Sequence, residues 1–355
     1  MTELYSVPRS ICLVRLSALG DVLMFVPLVR TLQRYLTGVR LTWVISPPAY
    51  ELVRGMDGVR FIVIKKPQTI GDYWRFKKRM QGRSFDVLIA AQACYRANFL
   101  YPLIHAQRKI GYDWLRAKDL HRLFVHESIL PGRDHTLEGF LKFAEAIGVS
   151  KTDLRWDLPI DEADYQWVKD RLSVSLNTDN CPIDSSRSIL LINPAASKPE
   201  RSWLVERYVA IIKEAQLHWE MNVILTGGPT GYDRELADQI LKQVSCIDWV
   251  GKTKPKQLLA LIKQARLMIC PDTGPSHMAA AVGTPVIALH AVTSSAISGP
   301  YPYRHLAVDC YAEAVQQLLK KTDVTNPWGT QVHGSETMHL ISVEAVLKRM
   351  SDVLA

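Results

Sequence analysis

Pro271-Asp272-Thr273-Gly274-Pro275-Ser276-His277-Met278-Ala279-Ala280-Ala281 follows directly on an apolar run, Leu267 to Cys270. The run predicts a buried strand, and the small residues from Ser276 to Val282 predict a closely packed helix. A strand that turns straight into a helix leaves the first N–H groups of that helix unpaired at its positive end. Here they lie beside Asp272, Thr273, Gly274, Ser276 and His277, which suits an anionic ligand such as a diphosphate. His277 alone reads equally well as a structural histidine; its polar neighbours favour a ligand role. A similar turn, Leu16-Ser17-Ala18-Leu19-Gly20-Asp21-Val22, follows the apolar run from Ile11. Two strand-to-helix ligand turns in two halves of a chain predict a cleft enzyme.

Outward from these turns, strand-like and helical patterns alternate. In the first half the predicted elements are strand Ile11–Leu16, helix Asp21–Tyr35, strand Val39–Ile45, helix Ala49–Arg54, strand Arg60–Ile64, helix Tyr73–Met80, strand Asp86–Ala90, helix Arg96–Ala106 and helix Glu138–Ile147. Residues 150–187 lose the pattern, and the polar stretch Asn177 to Arg187 reads as a linker. The alternation restarts with strand Ser188–Ile192, helix Trp203–His218, strand Asn222–Leu225, helix Tyr232–Val244, strand Ile247–Val250 and helix Pro255–Gln264. After the Leu267 strand and its helix come strand Pro285–Leu289, a loop over 322–338 and a helix at Val343–Leu354. The fold class expected is α/β, with two doubly wound parallel-sheet domains facing a central cleft. The expected domains are 1–180, including the linker, and 188–340, with residues 341–355 packing back on the first domain.

The 355 residues are 48% hydrophobic and 22% charged, an ordinary globular composition with ample core for two domains. No apolar run reaches the length of a membrane span, and Ile11 to Leu32 is broken by Arg15, Asp21 and Arg30. The first residues, Met-Thr-Glu-Leu-Tyr, lack a signal peptide's basic start and cleavage site. Six cysteines without a Cys-x-x-Cys pair point to reduced thiols, and the reading is a cytosolic protein. The net charge of +8 is uneven: residues 1–150 hold 22 Lys and Arg against 12 Asp and Glu. A basic first half implies an anionic partner: nucleic acid, a membrane surface, or a phosphorylated or carboxylated substrate. A solvated basic face without a partner is the alternative.

Other motifs carry chemistry of varying specificity. Asp21 caps its helix or serves as a base or ligand; position leaves both open. Its turn is not Gly-x-Gly-x-x-Gly, so the dinucleotide fingerprint is absent, and Gly251-Lys252-Thr253 lacks the Gly that a P-loop requires at position 246, which is Cys. The loop Asn193 to Trp203 carries Lys198 and Arg201, either solvated or neutralising phosphate. Thr226-Gly227-Gly228-Pro229 lets a backbone approach a nucleotide, or is a plain tight turn. Trp74-Arg75-Phe76-Lys77-Lys78-Arg79 interleaves aromatics with cations. No nucleic-acid recognition motif accompanies it, leaving a solvated helix face, an anionic acceptor or a membrane surface.

The Ser17-Ala-Leu-Gly-Asp21-Val turn, Arg201-Ser-Trp203, Gly227-Gly228-Pro229 and Asp272-Thr-Gly-Pro-Ser-His277-x-x-Ala-Ala, in this order, resemble glycosyltransferase family 9, the ADP-heptose:lipopolysaccharide heptosyltransferases. The resemblance spans residues 10–320. It implies a GT-B fold of two Rossmann-like domains, the first binding acceptor and the second nucleotide sugar. It implies inverting transfer of heptose from ADP-heptose to an inner-core lipopolysaccharide or lipid A acceptor, with no cofactor and no metal. It implies Asp21 as general base, with Ser17 and Gly20 near the acceptor. Lys198 or Arg201 would meet the diphosphate, and Asp233 or Glu235 the ribose after Gly227 and Gly228. Asp272, Thr273, Gly274, Ser276 and His277 would hold donor. No Asp-x-Asp metal motif occurs, and the basic first domain, with Arg75, Lys77 and Lys78, fits an anionic acceptor at the cytoplasmic face of the inner membrane. The remaining alternatives are a transferase or epimerase using another nucleotide sugar, and a non-catalytic nucleotide-sugar-binding protein.

Overall fold

A computed structural model describes residues 7–322 and 325–355; the expectations for the first five residues and for positions 323–324 of the 322–340 tail lie outside the described residues. The chain forms two compact units, Met1–Pro159 and Ile160–Ala355. The division falls earlier than a boundary near 180 because α6 (Glu162–Ser173) belongs to the second unit, where it packs on α9 (Pro255–Gln264). The stretch read as a linker is also tied into that unit: Leu176 bridges Pro182 and Asn177 bridges Ile247.

The first unit runs β1 (Ser10–Val14), α1 (Leu19–Tyr35), β2 (Arg40–Ile45), α2 (Pro47–Val53), β3 (Val59–Val63), α3 (Ile70–Met80), β4 (Ser84–Ala90), α4 (Tyr95–Asn98), β5 (His105–Gly111), β6 (Glu127–Ser128) and α5 (Thr136–Glu145). Its parallel sheet has the order β3-β2-β1-β4-β5-β6. The central strands are mostly apolar, with Ser10, Ser84 and Asp86 towards their amino ends, because helices cover both faces. Phe76 and Met80 of α3 pack against Val14, Leu16 and Leu88 on one face. On the other, Phe25 of α1 meets Trp43 and Phe140, each at 5.2 Å between ring centroids. Pro27 inside α1 cannot donate to the Leu23 carbonyl, and Trp156 Nε1–H fills that place at 2.8 Å.

The helix expected at Arg96–Ala106 ends after one turn, since Pro102 follows, and His105–Gly111 is a strand instead. Its cations hid it. Arg108 grips Glu127 of β6 with Nε at 2.8 Å and Nη2 at 2.6 Å, and Lys109 Nζ donates to the Tyr101 carbonyl at 2.9 Å.

The second unit continues from α6 with β7 (Ile189–Ile192), α7 (Val205–His218), β8 (Asn222–Leu225), α8 (Gly231–Leu241), β9 (Ile247–Asp248), α9, β10 (Leu267–Pro271), α10 (Gly274–Val282), β11 (Val286–His290), α11 (Ser295–Ser298), β12 (Val308–Asp309), α12 (Tyr311–Leu319) and α13 (Val343–Leu354). Its parallel sheet has the order β12-β11-β10-β7-β8-β9. The terminal helix α13 packs on α7, β11 and β12 of its own unit. Counted within each unit, both sheets have the order 3-2-1-4-5-6, whose reversal opens a crevice between the first and fourth strands. All six cysteines are free; Cys12, Cys246 and Cys270 are buried, whereas Cys181 is exposed.

Candidate active site

The reversal in the first sheet lies between β1 and β4, and the Ser17–Asp21 turn leaves the carboxyl end of β1 there. Asp21 occupies the first turn of α1. Its Oδ2 accepts the Ala18 N–H at 3.1 Å and forms an ion pair with Arg15 Nη2. Both interactions fall on one oxygen, so Oδ1 keeps its lone pairs, and the side chain is 32% exposed. The carboxylate therefore caps the helix through one oxygen and leaves the other accessible. Arg15 itself is held by the Ala91 carbonyl at 2.8 Å and lies over the Phe140 ring, while its buried Nε has no hydrogen-bond partner among the described residues.

From β4 the Gln92 side chain accepts the Leu16 N–H at 2.7 Å and reaches Ser17 Oγ at 3.5 Å, joining the two strand ends. Tyr101 and Tyr112 donate to the Gln92 and Ala91 carbonyls at 2.5 and 3.0 Å. Burial pushes both phenols above their usual range, so they remain neutral donors. Gly20 is buried in the first turn of α1.

In the second sheet the reversal lies between β7 and β10, and the two loops that leave those strands meet. Arg201, after β7, places Nη1 3.4 Å from Asp272 Oδ2, after β10. Thr293 Oγ1 donates to the same oxygen at 2.6 Å, and His290, the last residue of β11, lies 3.3 Å from the Thr293 carbonyl. Burial pushes the Asp272 carboxyl up, but His290, the Thr293 hydroxyl, His277 and Arg201 together hold it below the usual carboxylate range. Among the described residues, Arg201 Nε and His290 Nε2 are buried without hydrogen-bond partners. A buried polar atom left unsatisfied costs about 1–3 kcal/mol, so two in one cluster call for a ligand or a functional reason.

Ser276 Oγ donates to the Thr273 carbonyl at 2.7 Å and so stabilises the entry to α10, while Thr273 and Gly274 remain partly accessible. Lys198 is exposed and donates to Gln331 at 2.9 Å, away from the Asp272 pair. Asp233 closes the glycine turn: Oδ1 accepts the Gly228 N–H at 2.8 Å and Oδ2 bonds the Thr230 hydroxyl. A Cβ at Gly227 would lie 3.1 Å from Asp233 Oδ1 and 3.2 Å from Val250, so close approach explains this glycine. Glu235 is exposed on the outer side of α8. Arg75, Lys77 and Lys78 sit on α3, across the sheet from α1, where Arg75 pairs with Asp72 at 2.5 Å and Lys78 lies over the Trp74 ring.

Sequence reasoning missed Arg15, Gln92, His290 and Thr293. Arg15 and Gln92 stand just past the carboxyl ends of β1 and β4, the strands that flank the first reversal, and that position was the available signal; His290 and Thr293 leave β11, one strand further out than β10.

The family model described as glycosyltransferase family 9 (heptosyltransferase) matches residues 73–328. The chain is 34% identical to the lipopolysaccharide core heptosyltransferase OpsX of Haemophilus influenzae, over 97% of this chain and 96% of that one. A glycosyl transferase family 9 structure from Veillonella parvula superposes with a TM-score of 0.80 at 21% identity, covering 98% and 97% of the two chains. The Escherichia coli ADP-heptose lps heptosyltransferase II structure gives 0.71 at 18% identity, covering 97% and 98%. At these identities the two structures share the fold with this chain.

Proposed function

We propose, from the premise that this chain belongs to glycosyltransferase family 9, that it transfers heptose from ADP-heptose to an inner-core lipopolysaccharide acceptor with inversion, Asp21 acting as base. The observation that carries this reading is the occupation of both sheet reversals. One holds a carboxylate with a free oxygen, and the other holds Arg201 and His290 with unspent buried nitrogens. The relative whose name specifies lipopolysaccharide core transfer supports the acceptor, and the ADP-heptose enzyme of the same fold supports the donor.

In the proposed step an acceptor hydroxyl oxygen attacks the anomeric carbon on the face opposite the diphosphate. The new C–O bond forms as the bond to the β-phosphate oxygen breaks, and ADP leaves with that electron pair. The hydroxyl proton passes to Asp21 Oδ1, while Arg15 and the Ala18 N–H hold Oδ2 and keep the carboxylate aimed. Negative charge growing on the leaving phosphate is met by Arg201 and by the start of α10 at Gly274. Gly227, Gly228 and Asp233 form a rigid turn for the nucleoside. Thr273, Ser276 and His277 shape the same strand end, and Ser17 and Gly20 the acceptor side.

Transfer is tested by ADP release together with a heptose mass added to the acceptor. Asp21→Asn keeps the cap geometry and removes the base; a kcat reduced about 10²–10⁴-fold with ADP affinity within twofold is expected. An Asp21→Asn enzyme of full activity removes Asp21 from this role, and sugar transfer from a uridine donor alone removes the ADP-heptose assignment.

A further inference from the structure

Isolated exposed apolar side chains are ordinary on soluble proteins, but a connected patch is not. The first unit carries one. Ile70 and Trp74, one turn apart on α3, are 84% and 60% exposed, on the side away from Phe76 and Met80. Tyr73 beside them meets the half-exposed Phe99, whose ring lies 5.4 Å from Phe124, and the turn leading to Phe124 presents Leu120 and Leu123, the latter 75% exposed. The segments are fastened together: Asn98 Nδ2 donates to the Asp119 carbonyl at 2.7 Å, and Asp119 Oδ2 accepts the Tyr95 N–H at 3.2 Å. Leu120 has φ +62°, a left-handed conformation that costs a non-glycine residue about 1–2 kcal/mol, and it holds an apolar side chain outward.

Charge says what this strip faces. Residues 70–78, 95–99 and 118–124 contain six Lys and Arg against Asp72 and Asp119, and both carboxylates already accept backbone N–H bonds. Lys78 folds over Trp74 at 5.0 Å, so cation and indole share one surface. Aromatic and aliphatic groups inside a ring of cations match the boundary between acyl chains and anionic headgroups. The strip also adjoins the acceptor side in the chain. Gln92, which braces the Asp21 turn, is followed two residues later by Cys94, the residue just before α4.

We infer that this strip of α3, α4 and residues 118–124 docks the protein on an anionic lipid bilayer. The inference rests on the transferase reading only for its purpose, which is to meet an acceptor anchored in the same bilayer.

Full-length protein is sedimented with vesicles of phosphatidylcholine and with vesicles of an equal phosphatidylcholine–phosphatidylglycerol mixture. Partitioning about tenfold or more in favour of the anionic vesicles is expected, lost with added salt. The Trp74→Ser/Leu120→Gly/Leu123→Ser variant should lose about tenfold of that partitioning while keeping its circular dichroism and melting temperature. Leu120→Gly alone relieves the left-handed strain, so weaker binding without destabilisation is expected of it too. No preference for anionic vesicles, or equal binding by the variants, overturns the inference. Concentration-dependent self-association abolished by the same substitutions assigns the strip to a second copy and also overturns it. Transfer to a deacylated, water-soluble acceptor should be unchanged in the triple variant, and a matching loss there overturns bilayer docking in favour of an acceptor subsite. Wild-type protein inactive on every acceptor sinks the transferase reading, while the vesicle result still decides the docking face.

Discussion

At the scale of the residue, the proposed donor site turns on which cation would meet phosphate. Lys198 is exposed and engaged with Gln331, whereas Arg201 is mostly buried, paired with Asp272 and has an unspent Nε. Charge-assisted hydrogen bonds contribute roughly 1.5–3 kcal/mol. Arg201→Ala should therefore weaken ADP binding about 10–100-fold, and Lys198→Ala about threefold or less, both measured by titration calorimetry; the reverse order would transfer the phosphate role to Lys198. Thr293→Val removes the 2.6 Å bond to Asp272 and should act in the same direction as Arg201→Ala, but more weakly, because it loosens the carboxylate that positions the guanidinium. That Asp272, Arg201 and Asp21 stand in turns just past strand ends was legible in the sequence because those turns carry recognisable patterns. Thr293 and His290 were not, since they reach Asp272 only through the pairing of β11 with β10, a neighbour relation that no local spacing encodes.

Elements show the same division between local and non-local information. The strands β1, β8 and β10 and the helices α9 and α13 are continuous apolar or strongly amphipathic runs, so periodicity located them. In contrast, β5 is a strand whose cations are neutralised by β6 and a backbone carbonyl, and α6 buries only Val168 fully, so neither shows a local signature. The 118–124 turn is likewise shaped by a tertiary contact. His121, almost fully buried, receives the Tyr112 N–H on Nε2 at 3.1 Å, and its Nδ1 lies 2.8 Å from Asn98 Oδ1. Burial lowers its pKa from 6.5 to about 4. The unfolded chain thus binds the proton more readily, and the stability lost grows as pH falls from 6.5 towards 4. Between pH 7 and pH 5 that loss is about 2 kcal/mol by the usual conversion of pKa difference into free energy. In urea unfolding, His121→Gln should show a pH 7-to-5 decrement smaller than the wild type by about this amount. An unchanged decrement would mean that His121 is protonated in the folded protein at pH 5.

For the whole molecule, the repeated 3-2-1-4-5-6 order gives each of the two units its own sheet. In the second unit Trp203 anchors the core: it is buried, and its indole N–H reaches the Ile341 carbonyl at 3.1 Å, tying the loop of Arg201 to the segment before α13. A chain of two such cores is not expected to melt as one cooperative unit. Calorimetry should resolve two transitions, and Trp203→Phe, which loses that hydrogen bond, should lower the one belonging to the second unit. A ligand that binds only the native form stabilises it by about 2.7 kcal/mol at a hundred times its dissociation constant. For a domain of this size that is a rise of about 5 °C or more. ADP should therefore raise the transition that Trp203→Phe lowers and leave the other in place, with UDP at equal concentration moving neither. If UDP raises that transition and ADP does not, the adenine donor is wrong while the fold and the strand-end site survive. If ADP raises only the other transition, donor binding belongs to the Asp21 unit, and the roles of Arg201 and Asp21 must be exchanged.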